Sequence, residues 1–128
     1  MILVNIFIVE DNEHNLYLMN FLLSNARHTL IEVKSGREAL EKINHINVDM
    51  ILLDIQLPDM SGYEVAREFR KMSTLDSVPI VAVTSYAMNG DKERVYLSGC
   101  DYYMEKPIDP DSFVKKIEEY HLNGINKS

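Results

Sequence analysis

The chain reads as a doubly wound α/β protein of the (βα)5 kind, built on one five-stranded parallel sheet. Five short apolar runs, at 4–9, 29–33, 50–53, 79–84 and 102–104, alternate with five stretches of helical pattern. The first, third and fourth runs are nearly continuous in Ile, Val and Leu, as strands buried on both faces are. Strands alternating with helices close into a parallel sheet through right-handed crossovers, which leaves few other topologies.

Each element carries its own signals. The first run stops at Glu10-Asp11, and Asn12 then caps a helix whose apolar face includes Leu16, Met19 and Leu23. The second run is weaker, as an edge strand would be, and Ser35 with Glu38 forms a capping box after it. The third leads through Asp54 into a loop shaped by Pro58 and Gly62, and Ser61 with Glu64 reads as a second capping box. The fourth ends in Thr84-Ser85, and Gly99 suits the end of the helix that follows. The fifth run is short and runs into Lys106-Pro107. Asp109 before Pro110 reads as an N-cap with proline in the first helical position. Gly124 is expected to follow the last helix, and the polar tail 123–128 to fray.

Composition narrows the function. A length of 128 residues suits one domain with one core. Cys100 is the single cysteine, so neither an internal disulfide nor a cysteine metal cluster can form. The four histidines are scattered without metal-ligand spacing. A net charge of −7 argues against a nucleic-acid partner held by a basic surface. The apolar start is cut off by Glu10 and Asp11, too soon for a signal peptide or a membrane span. The expectation is a cytoplasmic protein with no membrane partner.

In a doubly wound sheet, chemistry collects beyond the carboxyl ends of the strands. Those ends here carry Glu10 and Asp11, then Asp54, then Thr84 and Ser85, then Lys106. Taken singly, each has a bland reading. A strand-end carboxylate is usually a cap or a solvated loop residue, Thr84 an ordinary β-branched strand residue, and Lys106 a surface lysine. Their joint arrival at one sheet edge is harder to dismiss. Two carboxylates about 4 Å apart repel by roughly 4 kcal/mol at an effective dielectric near 20. Such a cluster calls for a cation, and hard oxygen ligands with open positions suit Mg²⁺. Lys106 adds a permanent positive charge.

The stretches IFIVEDNEHN, DMILLDIQLPDMSGYE, VPIVAVTSYAMNGDKERV and GCDYYMEKPI, in this order, resemble the response-regulator receiver family over about residues 3–120. The EDN, DIQLP, AMNGD and KPI wording is most similar to DivK-type single-domain regulators and to receiver modules of hybrid sensor kinases. The resemblance implies a flavodoxin-like receiver topology, with residues 1–122 as the receiver and 123–128 as a tail. It implies that Asp54 accepts a phosphoryl group from a sensor histidine kinase or a histidine phosphotransfer protein. Asp11, Asp54 and the backbone carbonyl of Gln56 would bind Mg²⁺, with Glu10 acting mostly through water. Lys106 and the Thr84 hydroxyl would contact the phosphoryl oxygens, and the N–H groups of Ile55 and Ser85 would help cradle them. Thr84 and Tyr103 would form the switch that reaches a downstream protein through helix 4, strand 5 and helix 5, about 89–120. The Lys106-Pro107 peptide would be cis. Such a chain would be a signalling acceptor, assisting its own phosphorylation and dephosphorylation, rather than an enzyme.

Ser85 stands where the family usually has alanine or glycine, and Tyr86 is bulky at a variable position. Gln56 and Tyr86 are expected to shield the phosphoryl group from water. Three other classes fit worse. An FMN-binding module needs a phosphate loop after the first strand, where Glu10-Asp11-Asn12 would repel phosphate. A haloacid-dehalogenase-type phosphatase needs Asp-x-Asp after that strand, and a histidine phosphotransfer protein is a helical bundle. The start at Met1 and the short tail lead us to expect a stand-alone regulator rather than a receiver module cut from a larger protein.

Overall fold

A computed structural model describes residues 2–85 and 89–126. Its elements run β1 (Asn5–Val9), α1 (Glu13–Asn25), β2 (Thr29–Val33), α2 (Gly36–Lys42), β3 (Met50–Asp54), α3 (Gly62–Arg70), β4 (Ile80–Thr84), α4 (Asn89–Leu97), β5 (Tyr102–Glu105) and α5 (Phe113–Asn126). The five strands form one sheet in the order β2-β1-β3-β4-β5, and every pairing is parallel. The expected doubly wound architecture is therefore the observed one.

Strand alternation divides the core into two layers. Phe7, Val9, Ile51, Leu53, Ile80 and Ala82 face α2, α3 and α4, whose Ala39, Val65, Phe69 and Val95 are buried against them. Ile6, Ile8, Leu52, Val81 and Val83 face α1 and α5, meeting Met19, Leu23, Phe113 and Ile117. Both faces of β1, β3 and β4 are thus covered, which is why those runs are continuous rather than alternating. β2 and β5 lie at the edges and keep half-exposed residues.

The caps explain where the helices begin and end. Asn12 Oδ1 accepts from the Asn15 N–H at 3.0 Å, and Ser35 Oγ from the Glu38 N–H at 3.1 Å. Ser61 departs from the expected capping box: its Oγ accepts from the Tyr63 N–H at 3.1 Å, one residue earlier than the box requires. Asp109 caps the turn leading into α5, accepting from Asp111 N–H and Ser112 Oγ, while the assigned helix starts at Phe113. Gly124 lies inside α5 rather than beyond it. A Cβ there would stand 3.3 Å from Pro79 Cγ, so the small residue serves close packing of α5 on the start of β4. α4 ends as expected, with Gly99 at φ +107° and the Cys100 N–H reaching back to Val95 O at 3.3 Å. α1 ends in the same hydrogen-bond pattern, yet Arg27 holds the left-handed position at φ 70°. That turn delivers His28 inward, where its Nδ1 accepts from the Val4 N–H and its Nε2 meets Glu118 at 2.8 Å.

The loop between β3 and α3 is pinned at three points. Gly62 N–H donates to Ile55 O at 2.9 Å, Gln56 and Ser61 form an isolated antiparallel bridge, and the Asp59 carboxylate accepts from the N–H groups of Gly36 and Arg37 at 2.8 and 2.9 Å. Those two amides hold the Asp59 carboxyl below the ordinary carboxylate range. The loop passes so close to the strand end that a Cβ on Gly62 would stand 2.4 Å from Asp54 O and 2.6 Å from Ile55 Cα. Backbone cannot yield as a flexible side chain can. Gly62→Ala should therefore destabilise the protein by about 1–3 kcal/mol, the usual range for overpacking, read from the midpoint of urea unfolding at unchanged m-value.

Candidate metal and phosphoryl site

The carboxyl edge of the sheet gathers the strand-end residues into one pocket. Glu10 follows β1 directly, and its N–H extends the ladder by donating to Val33 O at 3.0 Å. Asp54 is the last residue of β3, in the middle of the sheet. Thr84 closes β4 in register with Glu105 of β5. The next residue, Lys106, donates its N–H to Thr84 O at 2.8 Å, and its peptide bond to Pro107 is cis.

Glu10, Asp54 and Thr84 are buried at 1–2 % exposure, while Asp11 and Ser85 face solvent. One oxygen from each of Glu10, Asp11 and Asp54 lies within 4.8 Å of the others. Lys106 Nζ stands 3.0 Å from Glu10 Oε1 and 3.3 Å from Asp54 Oδ2. Backbone N–H groups supply further positive ends: Asn12 donates to Glu10 Oε2 at 3.1 Å, and Gln56 to Asp54 Oδ1 at 2.9 Å.

One expected contact is reassigned. The Ile55 N–H donates to Val83 O at 3.2 Å, continuing the β3–β4 ladder, so it is not free to cradle a ligand at Asp54. The amide that faces the carboxylate is that of Gln56. Tyr103 lies half-buried on the α4 side of β5, and its hydroxyl donates to Glu105 Oε1 at 3.3 Å. Tyr86, expected to shield the site together with Gln56, lies outside the described residues. Gly62 shapes the loop after Asp54 as expected, whereas the tie from Asp59 to α2 was not singled out from the sequence.

Charge balance decides the behaviour of the pocket. Burial, followed by the neighbouring Glu10 side chain, pushes the Asp54 carboxyl up to about 6, against the pull of the Gln56 N–H and Lys106. Partial desolvation and then Asp54 raise Asp11 as well. One ammonium does not balance three carboxylates, and the remaining charge favours either a proton or a cation. The donors are hard carboxylate oxygens, and solvent reaches Asp11, leaving room for bound waters. That donor set fits Mg²⁺. Among the described residues, no other group of three His, Cys, Asp or Glu side chains comes this close. No helix among them is long and apolar enough to cross a membrane.

Fold and pocket together define a doubly wound α/β protein with an acidic, lysine-bridged site at the carboxyl edge of its sheet. The chain belongs to the response regulator receiver domain family, whose sequence model matches residues 6–118. It is 40 % identical over 116 residues, 91 % of this chain and 94 % of the relative, to the polar-differentiation response regulator DivK of Brucella ovis. A CheY-like response regulator receiver domain protein from Methanospirillum hungatei superposes with a TM-score of 0.89 at 27 % identity, covering 99 % of this chain and 100 % of that one. The receiver domain of a Pseudomonas aeruginosa sensor histidine kinase, solved with a magnesium ion in its active-site cleft, gives a TM-score of 0.84 at 28 % identity, covering 94 % and 98 %. The protein is thus a receiver domain of two-component signalling, a family in which phosphorylation on aspartate and Mg²⁺ are general features. Receiver domains of this type interact with histidine kinases or phosphotransfer proteins.

The sign of the pH dependence follows from Asp54. Its folded-state pKa of about 6 exceeds the ordinary 3.8, so the folded protein holds this proton more tightly than the unfolded chain. The resulting stability is complete below pH about 4 and is lost as the pH rises through about 6. Metal-free protein should therefore lose stability through this group over that window. The rise in melting temperature caused by millimolar Mg²⁺ should grow over the same window, since metal and proton compete. Mg²⁺ at about 100 times its dissociation constant stabilises by about 2.7 kcal/mol. Asp11→Asn should melt higher without metal and respond little to Mg²⁺. A wild-type melting temperature indifferent to Mg²⁺ at pH 7.5 would refute the acidic pocket as a cation site.

Proposed function

We propose that Asp54 is the phosphoacceptor, taking a phosphoryl group from a histidine-phosphorylated partner and signalling through the change this makes at the surface. The observation that supports this most directly is the position of Asp54: buried at the end of a central strand, beside two carboxylates and 3.3 Å from the Lys106 ammonium.

An Asp54 carboxylate oxygen attacks phosphorus in line. A P–O bond forms as the P–N bond of the donor phosphohistidine breaks, and the imidazole leaves with the electron pair and takes up a proton. Such a reaction needs positioning and neutralisation of the equatorial oxygens more than covalent help. Lys106 neutralises part of that charge. The Thr84 hydroxyl and the N–H groups of Gln56 and Ser85 are the hydrogen-bond donors for the rest. Asp11, Asp54 and the Gln56 carbonyl would hold Mg²⁺, with Glu10 acting through water. Bound there, the ion supplies further charge neutralisation to the transferring group. The acceptor is consumed and regenerated once per signal, so the chain assists its own phosphorylation and dephosphorylation without turning over a metabolite. The donor is a sensor histidine kinase or a phosphotransfer protein, and the setting is cytoplasmic. The receiver includes all of α5 to Asn126 rather than stopping at 122, so most of the expected tail 123–128 belongs to its last helix.

Phosphorylation adds about −1.5 to −2 charges at Asp54. Thr84 turns toward the new group, and Tyr103 rotates into the space it leaves. The face so altered comprises α4, β5 and α5, where a downstream protein reads the state.

Acetyl phosphate should label the protein once, as an acid-stable, base-labile acyl phosphate. Asp54→Asn should abolish the label, and Asp111→Asn, on the turn before α5, should keep it. Asp59 is a poorer control because its carboxylate caps α2. Full labelling of Asp54→Asn would move the acceptor elsewhere. Lys106→Ala should keep Mg²⁺ binding and respond poorly to phosphorylation.

For the output, beryllofluoride with Mg²⁺ should shift amide resonances at the pocket and also across α4, β5 and α5. Shifts confined to the neighbourhood of Glu10, Asp54 and Lys106 would refute the switch and leave the acceptor standing.

A further inference from the structure

Among the described side chains of α4, burial is slight. Val95 is fully buried, while Tyr96 and Leu97 are 51 % and 79 % exposed. Two cations flank Val95. Lys92 sets its Nζ 5.3 Å from the centroid of the Tyr103 ring on β5, and Arg94 sets its guanidinium carbon 4.4 Å from the Tyr63 ring on α3. A helix turns about 100° per residue, so Lys92 and Arg94 project to opposite sides of Val95. α4 is thereby held between α3 and β5 by one cation–aromatic contact on each side.

The two contacts are not alike. Tyr63 is buried, and it follows Gly62, whose N–H is bonded to Ile55 O. Its ring sits on the first turn of α3, directly after the loop that follows Asp54. Tyr103 is half-buried, with its hydroxyl bonded only to the exposed Glu105 side chain among the hydrogen bonds described for it. The Lys92 distance of 5.3 Å approaches the outer reach of about 6 Å for such contacts. Arg94 on Tyr63 is the fixed end of α4, and Lys92 on Tyr103 is the end that can let go.

We infer that Lys92 is a latch of the receiver switch: its ammonium holds the Tyr103 ring in the resting arrangement and must release it when the ring turns toward Thr84. This rests on the switch proposed above for Thr84 and Tyr103. A contact made in only one of two arrangements biases their equilibrium toward that one by its own free energy. A cation–aromatic contact at an accessible site corresponds to about a two- to fivefold change in an equilibrium constant. Where the active arrangement is the minor one, loss of the latch tightens any ligand selective for it by the same factor.

The test is the affinity of the full chain for beryllofluoride with saturating Mg²⁺, measured for the wild type, Lys92→Met and Lys92→Arg, and for Lys92→Met in a Tyr103→Leu background. Lys92→Met keeps the aliphatic stem and removes the ammonium. It should bind about two- to fivefold tighter. Removing a positive charge would on simple electrostatics weaken binding of this anion, so tightening is diagnostic. Lys92→Arg keeps a cation over the ring and should match the wild type. In the Tyr103→Leu background, Lys92→Met should change nothing. Equal or weaker binding by Lys92→Met overturns the latch, and so does a tightening that persists without Tyr103. Should Lys92→Met fail to fold by thermal melting, Lys92→Gln takes its place with the same expectations. A wild type that binds no beryllofluoride would overturn the phosphoacceptor reading and the latch with it, an outcome distinct from a wild type that binds normally and a latch variant that binds no better.

Discussion

The Lys106 ammonium meets Glu10 and Asp54 at 3.0 and 3.3 Å, and the rest of the pocket is arranged around that meeting. Two nearly fully buried carboxylates beside a third would repel strongly if nothing cationic stood among them. Lys106 relieves part of this and leaves a residue of negative charge for a metal ion to neutralise. Its own position depends on β5, because the Lys106 N–H donates to Thr84 O and so keeps the chain in register past the end of the strand. The edge strand with the weakest apolar signal therefore carries the residue on which the site's charge balance turns.

A second constraint is the loop after Asp54. It must turn back at once, to offer the Gln56 amide to the carboxylate and start α3 beside the strand end. Gly62 permits the close approach, and Asp59 ties the loop to the first amides of α2. Met60 packs in the same place, against Gly36. A loop held at several points cannot drift, and pre-set geometry is what phosphoryl transfer needs from a protein.

α4 contrasts with this. Its neighbour in the core layer, α3, buries Tyr63, Val65, Ala66 and Phe69, whereas the described part of α4 buries Val95 and rests on two tyrosine rings through cations. Elements that move are drawn from the weakly attached end of a structure. Packing and hydrogen bonds are thus densest at β3 and its loop and sparsest along the described part of α4.

The fold was largely legible in the sequence, for a physical reason. Continuous apolar runs mark strands buried on both faces, caps mark helix starts, and both signals are local. Glu10, Asp11, Asp54 and Lys106 could be assigned to strand ends because the ends follow directly from the runs. Local signals misplaced what depends on neighbours in space. Gly124 reads as a terminator but sits within α5, because Pro79 packs against it. Ser61 and Glu64 spell a capping box, yet the loop's sharp return gives Ser61 the Tyr63 amide instead. Ile55 N–H belongs to the sheet because the ladder in which Asp54 pairs with Val83 of β4 continues one residue past the end of β3. The sequence by itself determined the strand–helix alternation and which charged residues end the strands. Only tertiary structure decided which of them meet, which amide the ladder with β4 takes up, and which rings the α4 cations cover, because those are contacts between residues far apart in the chain, and such contacts leave no periodic trace in it.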